Sequence, residues 1–130
     1  KMKTYETTLV VTKEHIDDLN HVNNVHYVQW VQDIAKAHWQ SKASVELQTK
    51  YSWFLLSHFI EYKGAAFLND IIKLKTYIAK AEGVKYTRIV EMYNASTNKL
   101  LAKSETKWCF MNAKTQRPSR IPLEIVDLFD

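Results

Sequence analysis

Apolar and polar positions recur with two different periods along this chain. Between Asn23 and Gln40, the residues Tyr27, Trp30, Val31, Ile34, Ala35 and His38 fall at i, i+3, i+4 spacing, uninterrupted by Gly or Pro. Such a stripe predicts an amphipathic helix. Val28 and Trp39 widen it, so the helix is expected to be covered on more than one side. Elsewhere the period is two. Thr4 to Thr12 has β-branched content and reads as a strand, and Trp53 to Tyr62, rich in aromatics, reads as another. Ile72, Leu74, Thr76 and Ile78 alternate with Lys73 and Lys75 in a strand from Ile71 to Lys80. Lys85 to Tyr93 follows after Glu82-Gly83, a hairpin signal. Asn94 to Asn98 is the next turn, and Leu100 to Met111 a long strand. Its Ala102, Ser104, Thr106, Trp108 and Phe110 share one face, and Lys103, Glu105 and Lys107 the other, as in a sheet with one buried side.

Between these elements, Ser41 to Ser52 allows a short helix at Val45 to Lys50, and Pro122 and Glu124 open a short terminal helix. The order is strand, long helix, then four strands at hairpin spacing. It predicts an α+β fold with one antiparallel sheet of about five strands. The economical packing wraps that sheet around one long central helix, for which the small Ala102, Ser104 and Thr106 leave room.

Composition narrows the class. A chain of 130 residues without repeat or boundary reads as a single domain, 1–130. Only two Gly and two Pro argue against linkers or disorder. One cysteine, Cys109, excludes an internal disulfide, so a reducing cytoplasm is the expected location. No apolar run approaches a membrane span, and the first residues lack the apolar core of a signal peptide, so membrane insertion is not expected. A net charge of +4 is too small to argue for nucleic acid but suits a small anionic ligand. Lys114, Arg117 and Arg120 concentrate positive charge near the C-terminus.

The densest candidate chemistry lies just before the long helix. Asp17, Asp18, Asn20, His21, Asn23, Asn24 and His26 crowd into a segment that runs straight into the apolar stripe. A helix N-terminus offers unpaired N–H groups and partial positive charge, which can hold a developing oxyanion. Asp17 is close enough in sequence to act there as base or nucleophile. Asp, Asn and His before a helix are also ordinary cap and turn residues, and the residue types alone leave the two readings level.

Three stretches go further. Asp17 followed four residues on by His-Val-Asn-Asn and then Tyr27, His58-Phe59-Ile60-Glu61-Tyr62 through Asn69-Asp70, and Trp108 to Pro122 together resemble the hotdog-fold acyl-CoA thioesterases of the 4-hydroxybenzoyl-CoA thioesterase-like superfamily, similar also to acyl-ACP thioesterases. The resemblance implies hydrolysis of an acyl-CoA or acyl-ACP thioester, without a cofactor beyond the coenzyme A of the substrate. Asp17 falls where the family's catalytic carboxylate sits, and Asn24 where a backbone N–H polarises the thioester carbonyl. Asp18 falls where relatives vary. Asn20 and Asn69 replace frequent glycines, and Asn is the best substitute where φ must be positive.

The expected substrate contacts are His21, Asn23 and Tyr27 in the motif, with His58 and Phe59 on the second strand. Arg117 and Arg120 are candidates for the phosphates of CoA. Trp30, Trp53 and Phe59 are candidates to line an acyl pocket. The resemblance also implies a homodimer or homotetramer, with subunits joined sheet edge to sheet edge and sites at the junction.

No metal site is expected. His21 and His26 are five residues apart, off the helical i, i+4 face, and there is no HExxH or CxxC. Cys109, mid-strand, reads as a small buried hydrophobe. Two other functions share the same fold: an enoyl thioester hydratase using an Asp17–His21 pair, and a non-catalytic acyl-thioester binding module.

Overall fold

The computed structural model describes residues 3–130. Lys1 and Met2, at the start of the segment read for a signal peptide, lie outside the described residues. The chain runs β1 (Tyr5–Val10), one turn of 3-10 helix (Lys13–His15), α1 (Asn24–Lys42), α2 (Val45–Lys50), β2 (Tyr51–Tyr62), β3 (Ile71–Glu82), β4 (Lys85–Asn94), β5 (Leu100–Asn112), β6 (Arg117–Pro118) and α3 (Leu123–Phe129). The strands form one antiparallel sheet in the order β1-β3-β4-β5-β2, with the two-residue β6 beside the end of β5. The α+β architecture and the five long strands appear in the expected order, and α2 covers the range its sequence allowed. The short β6 carries too few residues to show a period.

Alternation gives the sheet one buried face. Ile72, Leu74, Thr76 and Ile78 of β3, Tyr86, Arg88, Val90 and Met92 of β4, and Ala102, Ser104, Thr106 and Phe110 of β5 are all buried. The whole predicted stripe of α1, with Trp39, is buried. Tyr27, Trp30, Val31 and Ile34 share a core cluster with Ile72, Leu74, Val90, Met92 and Ala102. Trp39 belongs to a second cluster with Tyr86, Phe110, Ile125 and Phe129. α3 closes this second core, where the Tyr86 hydroxyl donates to the Ile125 carbonyl at 3.1 Å.

Two local features shape the sheet. The β3–β4 hairpin turns on Gly83, whose φ of +64° suits the first central position of a two-residue loop. In β2 the register shifts between Leu55 and Ser57. One extra residue there moves the side-chain parity of the strand's second half to the opposite face. β2 is also an edge strand, paired only with β5.

Candidate active site

The turn before α1 is built by its own backbone. Asp17 N–H donates to His21 O at 3.0 Å and Asn20 N–H to Asp17 O at 3.1 Å. An isolated antiparallel bridge pairs Ile16 with Val22. Asn20 closes the turn at φ 65°, the left-handed conformation that explains an Asn where Gly is frequent; Asn69 does the same at φ 73°. The loop is then tied down from two sides, with Val22 N–H donating to Ala66 O at 2.9 Å and Asn23 N–H to His15 O at 3.0 Å.

This turn leaves Asp17 half-buried, with its side chain 27 % exposed. Its Oδ1 accepts from the Leu19 N–H at 2.9 Å and lies 3.9 Å from His21 Nδ1. Its Oδ2 has no partner among the described residues. Asp18 is exposed and makes no such contact.

Asn23 is the N-cap of α1, its side-chain oxygen accepting from the Val25 N–H at 3.1 Å. The His26 N–H bonds to Asn23 O at 3.0 Å. The N–H of Asn24, the first helical residue, meets no acceptor among the described residues. A carboxylate oxygen in the turn and an amide hydrogen at the positive end of a 19-residue helix are thus both without a partner among the described residues. That arrangement can activate a nucleophile and stabilise an oxyanion.

The other predicted site residues are distributed differently. His21 stays at the turn, its ring 6.3 Å from that of Phe67. Tyr27 is 2 % exposed, its ring against those of Trp30 and Tyr62, and burial raises its phenol above the usual range. His58 pairs with Thr106 and so faces the buried side of the sheet. Its Nε2 is buried without a partner, and burial lowers its pKa.

Phe59 pairs with Glu105, points to the opposite face and is 62 % exposed. Within this chain it does not join Trp30 and Trp53 in lining one pocket, because the bulge at Leu55–Ser57 reverses its parity relative to Trp53. Arg117 and Arg120 are exposed on and just after β6, and no contact links them to the Asp17 turn. Trp30 and Trp53 themselves line different cavities, of about 190 and about 570 Å³.

Sequence reasoning missed one cluster. Arg88 on β4 is 5 % exposed, and its Nη1 donates to His38 Nδ1 and to Thr76 Oγ1, each at 2.9 Å. His38, fully buried, is lowered to about 3 by burial, by Arg88 and by Lys42, so it is neutral and accepts from the guanidinium. The signal was available: Arg88 occupies the same parity as Tyr86, Val90 and Met92.

The larger cavity lies between α1 and the sheet, floored by Trp39, Trp53, Ile78, Tyr86, Arg88 and Trp108. Asp17 and Asn24 are not among its lining residues. Among the described residues no group of three or more His, Cys, Asp or Glu could hold a metal, and no helix is long and apolar enough to cross a membrane.

Comparison with known proteins gives this geometry a context. A Staphylococcus aureus protein solved in complex with CoA superposes with a TM-score of 0.85 at 19% identity, over 98% of this chain and 82% of that one. A 1,4-dihydroxy-2-naphthoyl-CoA thioesterase from Synechocystis gives 0.83 at 15% identity, over 97% and 95%. The dynemicin thioesterase gives 0.85 at 15%, over 97% and 94%. No curated protein sequence matches the chain. At such identities the likeness is one of fold, and that fold is the hotdog fold. A family model described as the thioesterase-like superfamily matches residues 10–129. With nearly the whole chain inside that match, the protein belongs to the thioesterase-like superfamily.

Proposed function

We propose that the protein hydrolyses an acyl thioester, acyl-CoA or acyl-ACP, at the turn before α1. The observation that carries this reading is the turn that leads from Asp17, whose Oδ2 has no partner among the described residues, into the head of α1, where the Asn24 N–H likewise has none. A thioester suits so sparse a site. Its leaving thiol has a pKa of about 8.5, so its expulsion needs little proton assistance. What remains is to activate a nucleophile and hold the tetrahedral oxyanion.

Asp17 takes a proton from water as the water oxygen attacks the carbonyl carbon, or attacks it directly to form a mixed anhydride that water then opens. The Asn24 N–H, reinforced by the helix dipole, holds the oxyanion. Collapse breaks the C–S bond, releasing the acid and the thiol. Single turnover in ¹⁸O water separates the two routes, since only the anhydride route can leave ¹⁶O from Asp17 in the first product. His21 and Asn23 stand beside this centre, and the Asn23 side chain acts on it through the helix it caps.

One observation favours a second reading. His21 Nδ1, 3.9 Å from Asp17 Oδ1, offers an acid–base pair of the sort that hydration of an enoyl thioester needs. A panel of saturated and enoyl-CoAs, followed separately for free thiol and for the enoyl absorbance, tests both. Release of thiol from saturated acyl-CoAs is the expected result. Loss of enoyl absorbance without thiol release would replace hydrolysis by hydration, and binding without either change would leave a binding module.

The assembly is part of the reading. β2 is a 12-residue edge strand whose Phe54, Leu56 and Phe59 are 60%, 45% and 62% exposed. A long apolar edge left in water is a template for pairing. A C₂ dimer, alone or doubled to a tetramer, covers it by joining two β2 edges and sets Phe59 of one subunit near the other's Asp17 turn.

A further inference from the structure

Arg88 poses a problem that the proposed hydrolysis does not solve. A buried guanidinium ordinarily has a carboxylate beside it, because an unpaired charge out of water is expensive. Here only Nη1 is engaged, and by two neutral acceptors, His38 Nδ1 and Thr76 Oγ1. The Phe129 ring lies 5.9 Å from the guanidinium carbon. Among the described residues no carboxylate makes an ion pair with Arg88 and no protein group accepts from its Nε or Nη2, neither of which is sealed from solvent. His38 cannot neutralise it, being neutral itself. Asp33, the acidic side chain lining the same cavity, instead accepts from Gln29 at 2.9 Å. Lys36, also at the cavity, adds a second positive charge.

Arg88 lines the cavity of about 570 Å³ between α1 and the sheet, a size common for small-molecule sites. Around it the cavity floor is aromatic: Trp39, Tyr51, Trp53, Tyr86 and Trp108. A cavity lined by these aromatics together with polar residues such as Gln32, Gln40 and Gln48, and holding a buried cation without a carboxylate, has an amphipathic anion as its complement.

We propose that this cavity binds an apolar ligand ending in a carboxylate, with Arg88 as its counter-ion. The proposal stands on the cavity and Arg88, and rests on the thioesterase reading only for where the carboxylate comes from. Two sources share the chemistry: a free acid, such as the product of hydrolysis, or a second carboxylate at the far end of the acyl group.

Three of the four tryptophans line the cavity, so tryptophan fluorescence reports occupancy without any turnover. The test titrates the protein with decanoate and with decanol below their aggregation limits, and compares turnover of ω-carboxydecanoyl-CoA with that of decanoyl-CoA. The expected result is a preference of about tenfold or more for the carboxylate in one of the two comparisons, as charge-assisted pairing implies. Preference in the titration alone assigns the site to a free acid, and preference in turnover alone to the far end of the acyl group.

Arg88→Met, matched for shape, should erase the preference, and Arg88→Lys should keep part of it. Should neither variant fold, the preference of the parent protein decides. Equal affinity for acid and alcohol together with equal turnover of the two thioesters would overturn the proposal. So would a preference that persists in folded Arg88→Met. Thioester hydrolysis can fail with the decanoate preference intact, so the two readings fail separately.

Discussion

At the residue scale, the adjacent carboxylates Asp17 and Asp18 have different surroundings. Asp17 is half-buried and fixed by the Leu19 N–H, whereas Asp18 is exposed. Asp18→Ala should therefore leave turnover within about threefold of the parent, as for surface substitutions generally; steady-state rates on one acyl-CoA check it. A dead Asp18→Ala would move the motif's register by one. His38 makes a different kind of prediction. Its folded pKa of about 3 lies below its ordinary 6.5, so the unfolded chain binds the extra proton first. The associated stability is fully present above about pH 6.5 and declines as pH falls toward 3, by at most about 1.4 kcal/mol per unit. Urea midpoints at pH 7, 6 and 5 should fall accordingly, and His38→Gln, which can still accept from Arg88, should flatten that slope. The role of Asn20 was legible as a positive-φ substitute for Gly. The burial of Arg88 was legible in its parity with Tyr86, Val90 and Met92, but its pairing with His38 was not, because an apolar stripe reads a histidine as one more covered position and says nothing of what lies opposite.

At the element scale, α1 was legible because its stripe is long and unbroken by Gly or Pro, and the sheet because three strands alternate cleanly. β2 was harder to read. Its aromatics occupy both parities, and no residue type announces the extra residue at Leu55–Ser57, so Trp53 and Phe59 look co-facial in sequence and are opposed in the fold. The candidate site depends on an element end. Asn23 caps α1 and so fixes the direction of the neighbouring Asn24 N–H. Asn23→Ala should lower stability by about 1 kcal/mol. It should also reduce kcat more than KM, since the oxyanion contact forms in the transition state. Chemical denaturation and steady-state kinetics on the same preparation test the pair of effects.

At the scale of the whole molecule, the thioesterase-like family is compatible with the chemistry proposed for the Asp17 turn, and the proposed dimer would cover the apolar edge of β2. Phe59→Glu places a charge on that edge and should shift the protein toward its 15.3 kDa monomer in light scattering, with activity falling alongside. A parent protein that is monomeric and fully active at micromolar concentration would rule out the dimer as the working form. Free-thiol release from acyl-CoA by the parent and by Asp17→Asn asks whether Asp17 cleaves a thioester. Release by the parent is expected, with a loss of about 10²–10⁴-fold in a variant of unchanged circular dichroism and melting temperature. Turnover within about threefold of the parent in that folded variant would contradict it.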